Sequence, residues 1–281
     1  MLRFCILLCS SFIFAFSAQG ADQKSVLLQT LESQVGCRIG VYMINTSNNS
    51  VYGYRSDEVF ALNSTFKALL VADVLTQNSE FDALQKVLHY EESDLVQYSP
   101  ITKLHLTKGI TVEEACKAAL WYSDNTAANL LLKEIGGPSE LTQYIRSVGD
   151  NVTRLDNWET ELNIHPKGDP RDTTKPKAMA ETLERILLGN CLSPDQRKQL
   201  VDWMKGNKTG DKRIRAALPE GWIVADKTGS GPYGRANDIA VIWPPESAPI
   251  VLVIYTDKPE YKDRYSNEAL VETTKIILNL K

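Results

Sequence analysis

The stretch NSTFKALLVADVL, residues 63–75, places a serine and a lysine three residues apart at the head of an apolar run. On a helix, positions three apart share a face. Phe66, Leu69, Leu70 and Val71 predict that this helix is buried. Burial disfavours the charged form of a lysine, so Lys67 can accept a proton. A serine hydroxyl needs such a base to become a nucleophile. The helix N-terminus beside Ser64 also favours developing negative charge. A plain capped helix carries the same S-x-x-K, with Ser64 as its N-cap and Lys67 solvated.

Working outward, both ends of the chain read as strands and the middle as helices. KSVLLQTLESQVG has helical spacing, with Val26, Leu27, Leu31 and Val35 near one face. RIGVYMIN and SVYGYRS flank the turn cluster TSNNS and read as a hairpin. WIVADKTGS, DIAVIWP and IVLVIYTD are three further strand candidates, and NEALVETTKIILNL closes as an amphipathic helix. Between them, TVEEACKAALWYSDNTAANLLLKEIGG is helix interrupted at YSDN and stopped by GG. SELTQYIRSVG and PKAMAETLERILLG are further helices. The expected fold is α+β: an antiparallel sheet of about five strands built from both chain ends, covered by terminal helices, with an inserted helical lobe. The expected division is a sheet domain over 21–60 and 206–281 and a helical domain over 61–205. The long loop at 154–172 belongs to the helical domain; Trp158, Leu162 and Ile164 predict that it is packed.

The formal net charge is −4, with no Lys/Arg-rich run, which argues against a nucleic-acid binder. Residues 1–20 read as a cleaved secretory signal: Arg3, the apolar FCILLCSSFIFAF, then the small residues SAQG. The run is too short to span a membrane, so no anchor is expected after cleavage. Cys37, Cys116 and Cys191 remain, an odd number, read as small buried hydrophobes. His89, His105 and His165 form no metal-ligand pattern.

Two more motifs carry chemistry. Ser123-Asp124-Asn125 offers a hydroxyl that relays a proton and an amide that holds a carbonyl, or simply a turn capping the next helix. Lys227-Thr228-Gly229-Ser230 ends a strand with cation and hydroxyls suited to a carboxylate, and a glycine for close approach, or it is an edge lysine and a turn. Together, S-x-x-K, S-D-N and K-T-G form the signature set of serine β-lactamases and penicillin-binding proteins, which the chain resembles from about residue 24 to 280.

RLDNWETELN resembles the Ω-loop of class A β-lactamases, with its E-x-x-L-N pattern at Glu159, Leu162 and Asn163. A lactamase must hydrolyse the ester it makes, so a base has to hold water against it. The resemblance makes Ser64 the nucleophile, Lys67 or Glu159 the acylation base, Ser123 the proton relay and Glu159 the deacylation base. Asn163 shares the hydrolytic water and Asn125 meets the substrate amide. Tyr98 walls the mouth; Lys227, Thr228, Gly229, Ser230 and Thr209 line the carboxylate pocket, backed by Arg213 or by Arg235. The implied protein is a monomeric, exported bacterial hydrolase, periplasmic or secreted, acting on small β-lactams without metal or cofactor. A D,D-carboxypeptidase shares the three motifs without E-x-x-L-N, a serine-dependent glutaminase can carry S-x-x-K, and a penicillin sensor would keep a stable acyl-enzyme.

Two departures stand out. The motif flanks are similar to the KPC-like carbapenemases, but Asn63 and Gly231 occupy the places of their bridged cysteines. Carbapenem hydrolysis is therefore not expected. Asn157 stands where many relatives have an arginine paired with the aspartate matched by Asp172. That implies a looser loop and wider acceptance of oximino-cephalosporins.

Overall fold

The computed structural model describes residues 23–78 and 81–281; the export signal expected at 1–20 lies outside them. The chain runs through helix α1 (23–35), strands β1 (Arg38–Asn45), β2 (Ser50–Tyr54) and β3 (Phe60–Ala61), and helix α2 (Phe66–Gln77). Strands β4 (Val87–Leu88) and β5 (Ile110–Thr111) precede helices α3 (Val112–Trp121), α4 (Asn125–Ile135) and α5 (Pro138–Ser147). Then come strand β6 (Thr173–Thr174) and helices α6 (Pro176–Leu187), α7 (Pro194–Lys205) and α8 (Ile214–Ala217). Strands β7 (Ile223–Gly231), β8 (Arg235–Trp243) and β9 (Ile250–Asp257) and helix α9 (Asn267–Leu278) complete it.

The α+β fold read from the sequence is the one observed. Among the described residues the main sheet is antiparallel, in the order β2-β1-β9-β8-β7. Strand β9, near the end of the chain, lies in the centre and pairs with β1. Its side chains alternate between two cores. Ile250, Leu252 and Ile254 join Leu28 and Leu31 of α1 and Leu270 and Ile277 of α9. Val251, Val253 and Tyr255 face the other way, with Leu183 of α6 and the apolar residues of α2. Burial on both faces explains the unbroken apolar run of this strand.

Helix α2 is buried on nearly every side, Lys67 and Asp73 included. It follows a single 3-10 turn at Asn63–Thr65 that lies against strand β7. A Cβ on Gly229 would come within 3.0 Å of the Leu62 carbonyl oxygen and 3.2 Å of the Ser64 nitrogen. What approaches the glycine so closely is thus the protein's own serine turn, a demand beyond the substrate approach read from sequence.

The GG stop after α4 is observed as two left-handed glycines, φ +99° at Gly136 and +105° at Gly137. Helix α7 carries a capping box, Ser193 with Gln196. Cys37 and Cys116 are buried free thiols; Cys191, expected to be buried, is only partly so and packs against the edge of the core. No helix among the described residues is long and apolar enough to cross a membrane.

Asp73 sits in the middle of α2 at 2% exposure. Its Oδ1 accepts from Gln77 at 3.0 Å, while Oδ2 has no partner. Burial pushes this carboxyl up to about 6 from an ordinary 3.8. The folded state therefore binds the proton more tightly, and stability falls as pH rises from the unfolded to the folded value. Asp73→Asn is expected to stabilise the protein above about pH 6 by on the order of 2 kcal/mol. The gain should fade on acidification to about pH 4, as read by denaturant melts across that range.

Candidate active site

Lys67 is the hub. Its ammonium is fully buried and donates to Ser64 Oγ at 3.0 Å, the Ser123 carbonyl at 2.9 Å and Asn125 Oδ1 at 2.6 Å. Ser123 Oγ lies at 3.4 Å and Glu159 Oε1 at 3.0 Å. Burial lowers the proton affinity of Lys67, and the Glu159 carboxylate partly restores it. Ser64 is not a helix cap: Thr65 is the N-cap of α2, and no side chain caps it. The Ser64 hydroxyl instead lies between Lys67 and Glu159, 3.3 Å from Glu159 Oε1.

Glu159 comes from the loop at 154–172 and is 4% exposed. Asn163 donates to its Oε2 at 2.6 Å, and Ser64 and Lys67 share its Oε1. Asn129 clamps its backbone twice, accepting from the Glu159 N–H at 2.9 Å and donating to its carbonyl at 2.8 Å. Sequence reasoning missed Asn129, although Asn125 and Asn129 are one helical turn apart on α4 and share a face. Of the loop's apolar residues, Leu155 and Leu162 are buried, whereas Trp158 and Ile164 are partly exposed, so packing involves fewer of them than expected.

The neck of this loop corrects the expectation of looseness. Among the described residues no arginine pairs with Asp172, yet Asn157 donates to it through both backbone (3.0 Å) and side chain (2.7 Å), and His165 Nε2 lies 3.2 Å away. The Asp156 N–H adds a third bond to Asp172, and the Leu62 N–H donates to the Asp172 carbonyl at 2.9 Å. The β3–β6 ladder closes the same neck. Short amide contacts take the place of a long ion pair.

These groups border a cleft of about 510 Å³ lined by Ser64, Tyr98, Ser123, Asn125, Asn163, Thr209, Arg213, Thr228, Gly229 and Ser230. Lys67, Glu159 and Lys227 lie beneath its surface. Lys227, also fully buried, donates to Ser123 Oγ at 3.1 Å and the Thr228 carbonyl at 2.8 Å. Desolvation, with Lys67 close by, holds it well below the usual lysine range. Ser123 occupies a left-handed turn, φ +58°, placing its hydroxyl between the two lysines. Asp124 caps α4 through the Ala127 N–H at 2.8 Å and also accepts from Ile101 and Thr102. The S-D-N turn is therefore both cap and cleft wall. Asn125 donates one amide hydrogen to the Gln97 carbonyl, leaving the other for the cleft. Tyr98 stands at the mouth, 58% exposed, and Thr209 is hydrogen-bonded to the Thr228 hydroxyl.

The two arginine candidates separate cleanly. Arg213 donates to the Gly229 carbonyl at 2.7 Å, the Asn237 carbonyl at 2.8 Å and Ser230 Oγ at 2.5 Å. Burial lowers its proton affinity, countered by Asp238 and Tyr265. Arg235 turns away, donating to the carbonyls of Asn163 and His165 under the loop. Tyr265 and Asn267, not singled out from sequence, hold Arg213 from the α9 side.

Residues 24–280 match the model of the β-lactamase enzyme family. A β-lactamase of Proteus vulgaris is 49% identical over 251 residues, covering 89% of this chain and 93% of its own. The carbapenem-hydrolysing β-lactamase KPC of Klebsiella oxytoca is 48% identical over 250 residues, covering 88% and 85%. The solved class A β-lactamase of the last common ancestor of Gram-negative bacteria superposes with a TM-score of 0.88 at 51% identity, covering 91% and 98%. The chain belongs to the β-lactamase enzyme family, in its class A serine branch. It hydrolyses β-lactam antibiotics and so confers resistance to them; nothing favours the carboxypeptidase alternative.

The geometry separates the arginines by effect. Arg213→Ala is expected to raise KM for benzylpenicillin about tenfold through loss of a charge-assisted contact. Arg235→Ala should leave that KM within about twofold and act mainly on Tm and deacylation, because it frees two loop carbonyls.

Proposed function

We propose that Ser64 attacks the lactam carbonyl and forms an ester that Glu159 then hydrolyses. The hydroxyl proton passes to the Lys67–Glu159 pair, whose charged atoms are 3.0 Å apart. Backbone N–H groups of Ser64 and Ser230 receive the developing oxyanion; losing one such donor costs about 10²–10³ in rate. Ser123, hydrogen-bonded to both lysines, delivers a proton to the departing lactam nitrogen. The substrate carboxylate lies among Lys227, Thr228, Thr209 and Ser230, backed by Arg213. Asn125 orients the side-chain amide, Gly229 gives it room beside the strand, and Tyr98 walls the mouth.

In the second half-reaction Glu159 and Asn163 position a water on the ester. Glu159 takes its proton as the water oxygen bonds to the acyl carbon; the acyl–Oγ bond then breaks and a proton returns to Ser64 Oγ through the Lys67–Glu159 pair. The burial of Glu159, with Oε1 at 3.3 Å from the serine oxygen and Oε2 held by Asn163, carries this reading. No step calls on a metal or cofactor.

The proposed range is penicillins and some cephalosporins. Asn63 and Gly231 replace the bridged cysteines of the KPC-like enzymes, which argues against carbapenem hydrolysis without fixing the spectrum. The protein is read as a monomer, exported to the periplasm or medium after loss of residues 1–20, with a sheet domain at 21–60 and 206–281 around a helical domain at 61–205.

Benzylpenicillin turnover and intact-protein mass test the mechanism together. The enzyme should open many rings per molecule without a lasting adduct. Glu159→Gln should accumulate the acyl-enzyme, with deacylation slowed at least about 10²-fold. Undiminished turnover by that variant would remove Glu159 from its role.

A further inference from the structure

Three asparagine side chains form a directed hydrogen-bond chain from the sheet to Glu159. Asn237 of β8 accepts from the Thr256 backbone N–H at 3.2 Å and donates to the Ala61 carbonyl at 2.9 Å. It also donates to Asn63 Oδ1 at 3.1 Å. Asn63 donates to Asn163 Oδ1 at 2.8 Å, and Asn163 donates to Glu159 Oε2 at 2.6 Å.

An amide side chain has nearly the same shape with its oxygen and nitrogen exchanged, so a neighbour of fixed polarity must choose its orientation. Thr256 N–H can only donate and Ala61 C=O can only accept, which sets Asn237. Asn237 in turn sets Asn63, and Asn63 sets Asn163. With Asn163 turned over, its carbonyl oxygen would face the Glu159 carboxylate, a repulsive contact in a dry site.

Two local features serve this arrangement. Asn63 is fully buried with φ +45°, a backbone region that asparagine tolerates better than most residues. Gly231 leaves the space its amide occupies, because a Cβ there would collide with Asn63 Nδ2.

We propose that Asn63 is a positioning residue for deacylation, acting through Asn163 to keep an N–H aimed at Glu159. This rests on the reading of Glu159 as the deacylating base. Ester formation draws on Lys67 and Glu159 Oε1, whereas the chain holds Oε2, so its loss should fall mainly on the second half-reaction.

Asn63→Gly removes the amide without backbone strain, and Asn63→Ser is a second variant whose hydroxyl is too short to reach Asn163. With benzylpenicillin, decay of the acyl-enzyme mass is expected to slow about tenfold, the size of one lost hydrogen bond to a charged network. The acylation rate, read as kcat/KM, should stay within about twofold. In an Asn163→Ala background the same substitution should cost less than about twofold more, since both residues act on one carboxylate.

An equal loss in acylation and deacylation, or an undiminished effect in the Asn163→Ala background, would make Asn63 merely structural and overturn the proposal. Wild-type deacylation by both Asn63 variants, while Glu159→Gln still traps its adduct, would overturn the relay and leave the base standing. Free turnover by Glu159→Gln would overturn both.

Discussion

Water is kept away from Lys67, and the rest of the site follows from that exclusion. A lone ammonium in such a place would be severely destabilised, so the fold surrounds it with oxygen: a carboxylate, two hydroxyls, an amide and a carbonyl. Removing one partner of a buried ion pair typically costs about 3–5 kcal/mol. The Lys67–Glu159 contact therefore ties helix α2 to the loop at 154–172. Each group that holds the lysine is also one that the reaction can use. Stability and chemistry draw on the same contacts.

A second constraint is distance at the sheet edge. The serine turn lies against β7 so closely that side chains are absent from the strand at Gly229 and Gly231. Arg213 reinforces the same edge by binding carbonyls on two adjacent strands, Gly229 of β7 and Asn237 of β8. The cleft is thus a seam between the sheet edge and the serine turn ahead of α2, with the loop at 154–172 as its third wall. The asparagine chain crosses all three.

Much of this was legible in the sequence because it rests on local pattern. The strands at both ends show β-branched runs bounded by turns, and the spacing at 63–75 predicted a buried helix, which begins at Phe66 with Ser64 in the turn just ahead of it. The motif resemblance supplied the rest of the site inventory. What sequence concealed depends on contacts between distant segments. Asn129 looked like an ordinary helix residue until the loop at Glu159 lay across it. Asn63 looked like a missing cysteine, and only the fold brings Asn163 and Asn237 to its side chain. The neck at Asp172 looked unpinned because a short amide leaves no charge signature. The choice between Arg213 and Arg235 turned on which distant carbonyls each reaches, those of Gly229 and Asn237 or those of Asn163 and His165, which flanking residues do not reveal.

The central position of β9 governs the order in which the protein can be assembled. The strand joining the N-terminal hairpin to β8 and β7 begins at residue 250, after every other strand of the sheet, so the sheet stays split until β9 is in place. Before that, β1 and α6, which also pack on each other, lack the central strand that both face. Truncation ahead of β9 removes the one strand through which the two halves of this sheet are joined.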